Sequence, residues 1–412
     1  MTKHHENAKV FLAFSDRTRL KILEILRAGE QSATALQQQI GAGQSTLSHQ
    51  MKILVDSRIV VARKAGKWTY YSICETGADY ASRLIRLLTS KNNPIEAEQA
   101  FALEKEKRRL DNMKPFTIVV DTSCDLPPEY IKEYGIETVP IPFVLDGEEH
   151  SMGSWQNISD KAFYDRLRNG GKASTTLINP DTFLESFTEY AKQGQDVLYL
   201  ILSSALSGTY QSALIALEQV KETYPDCNIY PVDSIGATSI NGLLTLLAAQ
   251  KRDEGLSAEE TAAWLEEKKH SLIGIFTVDD LMYLHRGGRL SKLSAIGGSI
   301  LSIKPVLNIQ PDGSLALKDK VRGRTAALKL MVSQLKRSLK PDTVLDTVMI
   351  PHTDSEADAQ KLAEMLQAEV QVRQVIAMPM GPVIGAHVGP GAIAVVFEAD
   401  MTRGEYEKEF YK

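Results

Sequence analysis

Residues 200–213 read LILSSALSGTYQSA, an apolar run that ends abruptly in small hydroxyl-bearing residues and one glycine. An uninterrupted apolar run, which here begins at Val197, is typical of a parallel strand that is covered on both faces. The residues that follow place apolar side chains at helical spacing as far as Val220, which indicates an amphipathic helix. The stretch therefore predicts a strand, a loop and a helix in succession, the repeating unit of an α/β sheet.

The same plan occurs earlier in the chain, in residues 116–147. There FTIVVDTSCDLPPEYIKEYGIETVPIPFVLDG gives an apolar strand, a helix and a second strand. Strands that alternate with helices are typical of a parallel sheet with crossover connections. The chain after residue 115 is therefore predicted to be an α/β body.

The hydroxyl groups after residue 202 lie where open α/β sheets bind ligands, beyond the carboxyl ends of the strands. A helix that begins near Gly208 also offers unpaired backbone N–H groups to an anion. The loop is therefore a candidate anion site, and its hydroxyls belong to Ser203, Ser204, Ser207 and Thr209. The alternative is that these hydroxyls only cap the helix.

Three further stretches combine small residues with groups that bind anions. They are GGKASTTLINPDTF (170–183) with Ser174, Thr175 and Thr176, HRGGRLS (285–291) with Arg286 and Arg289, and IGAHVGPGA (384–392) with His387. Hydroxyls, guanidinium groups and imidazoles all form hydrogen bonds with a carboxylate, and those that carry a charge are the stronger ones. Two alternatives stay open: Arg289 is a structural donor to loop carbonyls, or His387 is a packed turn histidine.

Composition places the chain among ordinary globular proteins. It has 412 residues, of which 43% are hydrophobic and 24% are charged, so two or three domains are expected. No apolar run approaches the 18 residues that a membrane span needs, and the first residues do not form a leader, so we expect a cytoplasmic protein. Three scattered cysteines, Cys74, Cys124 and Cys227, favour packed thiols over a metal site or a disulfide framework.

Charge divides the chain into a basic head and an acidic body. Residues 1–90 contain 13 Lys and Arg against 7 Asp and Glu, a net charge of +6, whereas residues 91–412 carry −11. The split indicates that only the head meets a polyanion, although a modest positive balance also occurs on surfaces without a partner. Asn92, Asn93 and Pro94 then begin a charged connector, predicted to be helical, over residues 91–114.

The head contains a helix-turn-helix pattern. SDRTRLKILEILRAG (15–29) predicts a helix with Ser15 as its N-cap, and SATALQQQIGAGQSTLSHQMKILVDSRIV (32–60) predicts a short helix, a Gly-Ala-Gly turn and a longer helix. The polar face of the longer helix carries short hydrogen-bonding groups that suit base edges and phosphates. The alternative is a solvated face without a ligand.

A lysine-tipped hairpin follows the longer helix. VVARKAGKWTYYSI (60–73) alternates as two strands around Lys64 and Lys67, which suits contact with a sugar-phosphate backbone. The pattern therefore predicts a winged helix-turn-helix that binds double-stranded DNA. The residues predicted to contact DNA are Gln44, Ser45, Thr46, Ser48, His49, Lys52, Lys64 and Lys67.

The order of helix, helix-turn-helix, basic hairpin and helix over residues 5–90 resembles the ArsR family of winged-helix repressors, with STLSHQMKIL (45–54) as the recognition helix. The resemblance implies a homodimer that pairs the first and last helices of two heads, with Val10, Phe11 and Phe14 against Leu84, Ile85, Leu87 and Leu88. Metal-sensing members carry cysteines where this chain has TALQQQ (34–39), so we expect no metal sensing.

The body resembles the DegV family over residues 115–412, because five motifs occur in the family's order. They are VVDTSCDLP, SSALSGTYQSA, HRGGRLS, IKPVLNI and IGAHVGPGA. The resemblance implies a body of two α/β subdomains, residues 115–275 and 276–412, that holds one long-chain fatty acid with its tail in an apolar tunnel. It implies carboxylate contacts from Thr175, Thr176, Ser204, Ser207, Gly208, Thr209, Arg289 and His387. The family's Thr-Ser-Gln-Pro stretch is TTLIN here, so Leu177 replaces the glutamine.

Together these features predict a lipid-responsive transcription regulator, with a DNA-binding head and a fatty-acid-binding body, and neither a cofactor nor an enzymatic activity. The resemblance also implies an alternative function, in which the protein presents its fatty acid to a fatty acid kinase. A lipid hydrolase built on Ser207, His387 and Asp121 is a weaker alternative, because the sequence has no G-x-S-x-G elbow.

Overall fold

A computed structural model of the chain describes residues 3–65, 68–89, 116–150, 158–290 and 303–411. The chain forms two compact units, Met1–Pro115 with Gln250–Ser257, and Phe116–Ala249 with Ala258–Lys412. The first unit contains the predicted head and the second contains the predicted body. The predicted connector at 91–114 and the wing residue Lys67 lie outside the described residues.

The head has the predicted winged helix-turn-helix arrangement. Two antiparallel strands form the wing, and a short third strand joins them in the order β1-β3-β2. The elements are α1 (Lys3–Phe14), α2 (Arg17–Leu26), β1 (Gln31–Ser32), α3 (Ala33–Ile40), α4 (Gln44–Asp56), β2 (Val60–Ala65), β3 (Trp68–Ile73) and α5 (Glu75–Thr89).

Local capping explains how the head helices begin and end. Asp16, and not the predicted Ser15, is the N-cap of α2, because its Oδ1 accepts hydrogen bonds from the Thr18 and Arg19 N–H groups. Ser15 instead donates its hydroxyl to the Leu12 carbonyl at the end of α1. Gly41 ends α3 with φ of +72°, a conformation that favours glycine, and so makes the turn into α4.

The first subdomain confirms the predicted parallel sheet. Its four strands lie in the order β10-β9-β4-β5, all parallel, and β7-β6-β8 form a small antiparallel sheet. The elements are β4 (Thr117–Asp121), α6 (Pro128–Glu133), β5 (Ile136–Val139), β6 (Phe143–Leu145), β7 (Glu148–His150), α7 (Asp160–Arg168), β8 (Ala173–Thr175), α8 (Pro180–Lys192), β9 (Val197–Ile201), α9 (Thr209–Thr223), β10 (Ile229–Asp233), α10 (Ser239–Asp253) and α11 (Ala258–Lys268).

The second subdomain is built on a six-stranded mixed sheet in the order β13-β12-β11-β16-β14-β15, in which only β14 and β15 are parallel neighbours. The elements are β11 (Leu272–Thr277), α12 (Met282–Arg286), β12 (Ile303–Ile309), β13 (Leu315–Arg322), α13 (Arg324–Arg337), β14 (Val344–His352), α14 (Glu356–Glu369), β15 (Gln371–Pro379), α15 (Pro382–Val388), β16 (Ile393–Glu398) and α16 (Arg403–Phe410). The predicted boundary between residues 275 and 276 falls inside β11, which pairs along its whole length in this sheet.

Helix α10 packs between the two sheets of the body. One core cluster joins strand residues of the parallel sheet, such as Leu200, to α10 residues such as Leu244 and to β16 of the mixed sheet through Val396. Because α10 has neighbours on both sides, it is apolar around most of its circumference. Gly274 permits this packing, since a Cβ there would lie 2.9 Å from Ile240 Cδ1.

Candidate functional site

A cavity of about 250 Å³ lies within the body and is lined by residues of both subdomains. A single buried water needs only about 10–15 Å³, so the cavity is large enough for an organic ligand. Most of its wall is apolar. The apolar side chains are those of Ile141, Leu177, Leu202, Leu206, Ala237, Phe276, Leu284, Ile309, Leu315, Met380, Val383, Ile384, Val388, Ala392, Ala394 and Val396.

Six polar side chains also line the cavity, and five of them come from the predicted stretches: Thr175, Thr176, Ser207, Arg289 and His387, with Thr238 as the sixth. The backbone of Gly208 belongs to the same wall. Thr175 Oγ1 lies 2.7 Å from His387 Nε2, although 212 residues separate them. The structure therefore brings together side chains at the end of β8, after β9 and after α12 with one that lies on α15.

His387 lies near the end of α15, at the turn before β16. Burial, together with the nearby positive charge of Arg289, lowers the pKa of His387 to about 4. The imidazole is therefore neutral at pH 7. Its Nδ1 is buried and has no hydrogen-bond partner among the described residues, and Gly287 packs so closely that an added Cβ would lie 2.4 Å from that nitrogen.

Arg289 lines the cavity and also holds the neighbouring loop. Its Nε donates a hydrogen bond to the Leu206 carbonyl at 3.0 Å, and its Nη1 donates to the Gly287 carbonyl. Burial lowers the pKa of Arg289, because water stabilises the half-buried charge less well. A partly desolvated cation is stabilised by an anion, so this end of the cavity favours a negatively charged group.

The loop after β9 has separate positions for its hydroxyls. Ser207 lines the cavity, and its Oγ lies 2.9 Å from the Oγ1 of the buried Thr209. Thr209 therefore supports Ser207 from behind and is not itself a lining residue. Ser204 is exposed, and its N–H donates to Asp233 Oδ1, so it does not reach the cavity as the resemblance implied. Ser203 donates its buried hydroxyl to the Gly313 carbonyl.

Asp121 is a structural anchor for this loop. Its buried carboxylate accepts hydrogen bonds from the Leu202 N–H at 2.6 Å and from the Ser123 N–H at 2.9 Å. The bonds found for Ser207 and His387 go to Thr209 and Thr175. In the described residues these three side chains are therefore not arranged as a nucleophile, a base and an orienting acid.

Sequence reasoning missed two residues beside the cavity. Thr238 lines it from the loop before α10, with φ of +48°, and the small-residue run SIGATS (234–239) is its only signal in the sequence. Asp125 lies behind the wall, where its Oδ1 accepts a hydrogen bond from the Gly381 N–H at 2.8 Å. This bond fixes the residue that precedes α15. Desolvation raises the pKa of Asp125 to about 8.

In the head, α4 presents the face that the sequence predicts. Its apolar side chains Leu47, Met51 and Leu54 are buried in the head core, together with residues of α2, α3 and α5. The predicted DNA-contacting residues of α4 are all exposed, namely Gln44, Ser45, Thr46, Ser48, His49 and Lys52, and Asp56 at the end of the helix is exposed as well. Lys64 lies in β2, but its side chain is outside the description, as is the whole of Lys67.

Comparison with known sequences explains the body. The sequence profile of the DegV family, described as an uncharacterised protein family, matches residues 115–400. The chain belongs to the DegV family. A DegV domain-containing protein of Clostridium perfringens is 42% identical over 289 residues, which are 70% of this chain and 99% of that protein. One from Streptococcus pyogenes serotype M3 is 41% identical over 280 residues, which are 68% of this chain and 96% of the relative.

Solved DegV structures have the same fold as the body. A DegV lipid-binding protein from Thermotoga maritima is 30% identical with a TM-score of 0.61, and covers 70% of this chain and 100% of its own. A fatty-acid-binding DegV protein from Thermus thermophilus is 26% identical with a TM-score of 0.63, and covers 69% of this chain and 100% of its own. A helix-turn-helix domain profile matches residues 14–62, which lie in the head and outside the DegV region.

Two further observations concern only the part of the chain that the structure describes. No group of three or more His, Cys, Asp or Glu side chains is arranged there to hold a metal ion. None of the helices in those ranges combines the length and the apolar character that crossing a bilayer requires.

Proposed function

We propose that this DegV protein is a cytoplasmic, lipid-responsive transcription regulator, whose body binds one long-chain fatty acid and whose head binds double-stranded DNA. The observation that carries the proposal is the cavity, an apolar chamber with hydroxyls, a neutral histidine and a guanidinium at one end. A fatty acid has the same division into an apolar tail and an anionic head. The DegV protein of Thermus thermophilus, which binds fatty acid, supports the assignment.

The polar end of the cavity suits a carboxylate. Thr175, Thr176 and Ser207 supply hydroxyl donors, Arg289 supplies positive charge, and the Gly208 backbone borders the same space. A carboxylate leaves water only if such hydrogen bonds replace its hydration. Neutral His387 keeps its Nε2 beside Thr175 and so orients that hydroxyl. The proposed carboxylate site therefore contains these residues and omits Ser204. Thr209 contributes to it only by supporting Ser207.

The apolar wall supplies most of the affinity for the ligand. Burying each methylene group is worth about 0.8 kcal/mol, so a long acyl chain offsets the entropy that association costs. The polar groups then fix the orientation of the chain in the cavity. Leu177, which is 47% exposed and touches the Gly208 position, adds apolar surface beside the head group where the family has glutamine.

For the head we infer that the exposed face of α4 contacts base edges and that the wing contacts phosphates. The helix-turn-helix profile over residues 14–62 and the net charge of +6 for residues 1–90 support this function. We also propose that the head is an ArsR-like winged helix-turn-helix.

We also infer that two heads pair through α1 and α5. Apolar side chains on these helices remain exposed, with Leu12 at 51% and Leu88 at 60%, and Phe11, Phe14 and Ile85 share the same character. Val10 and Leu84, which the resemblance placed at the interface, are instead buried in the core of their own head. The side chain of Leu87 lies outside the description.

A carrier function is the second candidate, because the body alone accounts for 99% of the length of the Clostridium perfringens relative. A body that is a whole protein elsewhere has a function that needs no DNA-binding head. In this function the protein presents its fatty acid to a fatty acid kinase.

The test compares delipidated and fatty-acid-loaded full-length protein. We expect native mass spectrometry of protein from cells to show one bound fatty acid, and the retention of duplex DNA on a gel to differ between the two forms. Loss of DNA retention in both forms at low salt would refute the regulator. Acyl phosphate formation with added fatty acid kinase and ATP, together with that loss, would favour the carrier.

A further inference from the structure

Arg19 is a buried cation that joins three helices of the head. It lies on α2 and is only 6% exposed. Its Nε donates to the Leu12 carbonyl at 2.9 Å and its Nη2 donates to Ser15 Oγ at 3.2 Å, both at the end of α1. Its Nη1 donates to the side-chain carbonyl of Gln50 on α4. One planar guanidinium group therefore links the end of α1 to the middle of α4.

Gln50 differs from its neighbours on α4. Ser48, His49 and Lys52 are exposed on the face that we assign to DNA, whereas Gln50 is half-buried and faces Arg19. Gln50, which accepts the hydrogen bond from Arg19, is therefore not one of the residues predicted to contact DNA. The bond restrains the rotation of α4 about its own axis, which decides where the exposed side chains point.

We propose that Arg19 is a positioning residue that sets the orientation of the recognition helix α4 relative to α1. The proposal rests on the proposed function, because it assumes that α4 contacts DNA. Leu12 connects Arg19 to the face through which we infer that two heads pair. Its carbonyl accepts a hydrogen bond from Arg19, and its side chain is 51% exposed on that face. A shift of α1 at that face reaches α4 through the Arg19 bonds, in addition to the apolar packing that the two helices share in the head core.

Lysine cannot replace Arg19 in this role. The guanidinium group holds three donors in one rigid plane, and each donor has a different acceptor. A lysine ammonium would keep the charge without reaching all three acceptors in fixed directions. Arg19 therefore suits this role through the geometry of its guanidinium group as well as through its charge.

The test uses the full-length chain and two duplexes, one selected by the wild type from a randomised pool and a scrambled duplex of the same length. Gln50→Ala removes the link to α4 and leaves the Arg19 bonds to α1 intact. We expect the preference for the selected duplex to fall by about tenfold. The dependence of affinity on salt should not change, because the number of phosphate contacts is the same.

Three variants complete the test. Arg19→Lys should lose preference as Gln50→Ala does, Gln50→Glu should retain it because an acceptor remains, and Lys21→Ala is the control, an exposed cation on the same helix. A purely structural role would instead lower the affinity for both duplexes together and would overturn the inference. Preference that survives in Gln50→Ala would overturn it as well, whereas a wild type without any duplex retention would overturn the DNA-binding proposal from which it starts.

Discussion

Thr175→Val tests the polar end of the cavity with a change of one group. Valine keeps the shape of threonine but removes the hydroxyl that lies 2.7 Å from His387 Nε2. A buried carboxylate would lose a donor, and the imidazole nitrogen would lose its partner. Leaving a buried polar group unsatisfied costs about 1–3 kcal/mol. With 1.4 kcal/mol for each tenfold change, the affinity for a fatty acid should fall by about 5- to 150-fold.

Calorimetric titration of delipidated protein measures this loss. The fatty acid and the fatty alcohol of equal length should be compared, because the alcohol has the same tail and no charge. We expect the acid to bind the wild type more tightly than the alcohol does, and Thr175→Val to reduce that difference. Thr223→Val, at an exposed position at the end of α9, is the control. Unchanged affinity of Thr175→Val for the acid would refute a carboxylate at this end of the cavity.

Three further predictions concern charge. Arg289→Gln keeps a donor for the Leu206 carbonyl but removes the positive charge, so calorimetry should show about tenfold weaker binding of the acid and little change for the alcohol; an equal loss for both would contradict it. Desolvation raises the pKa of Asp125 to about 8, so the folded state retains a proton that the unfolded state has lost, and the free energy of unfolding falls as pH rises from about 4 to about 8. The lowered pKa of His387 has the opposite effect only between about 4 and 6.5, so Asp125→Asn should flatten the decline between about pH 6.5 and 8 in denaturant titrations; an identical decline in the variant would contradict it. Lys64→Ala combined with Lys67→Ala should weaken binding to all duplexes in gel retardation and lower the slope of log affinity against log salt by up to about 2; a change of sequence preference at constant slope would contradict a phosphate-contacting wing.

The sequence predicts most of the fold because its periodicities are strong. The apolar run from Val197 contains a fully buried parallel strand that ends at Ile201, and the alternation of Leu47, Met51 and Leu54 with short polar residues places the two faces of α4 correctly. Both patterns reflect which side chains are buried, and any strand or helix that packs in this way shows them. The boundary between the subdomains is harder to predict from the sequence, because β11 is as apolar as the strands of the first sheet but joins the second sheet.

The directions in which side chains point within tight loops could not be predicted from the sequence, because tertiary contacts decide them. Ser204 and Ser207 are chemically equivalent in the sequence, but Asp233 binds the N–H of Ser204 while Thr209 supports Ser207 at the cavity. Thr238 reaches the wall through a backbone conformation with positive φ, which threonine rarely adopts. Asp16 similarly displaced Ser15 as the cap of α2, because both are good cap residues in adjacent positions.

The pairing of Thr175 with His387 also has a consequence for how the protein matures. One partner ends β8 in the first subdomain and the other lies on α15, 212 residues later in the chain. A nascent chain therefore has no complete head-group site until residue 387 has been synthesised and the mixed sheet has formed. A ligand that binds only this completed state stabilises it by mass action. Molecules that carry the proposed fatty acid should therefore resist proteolysis better than lipid-free ones.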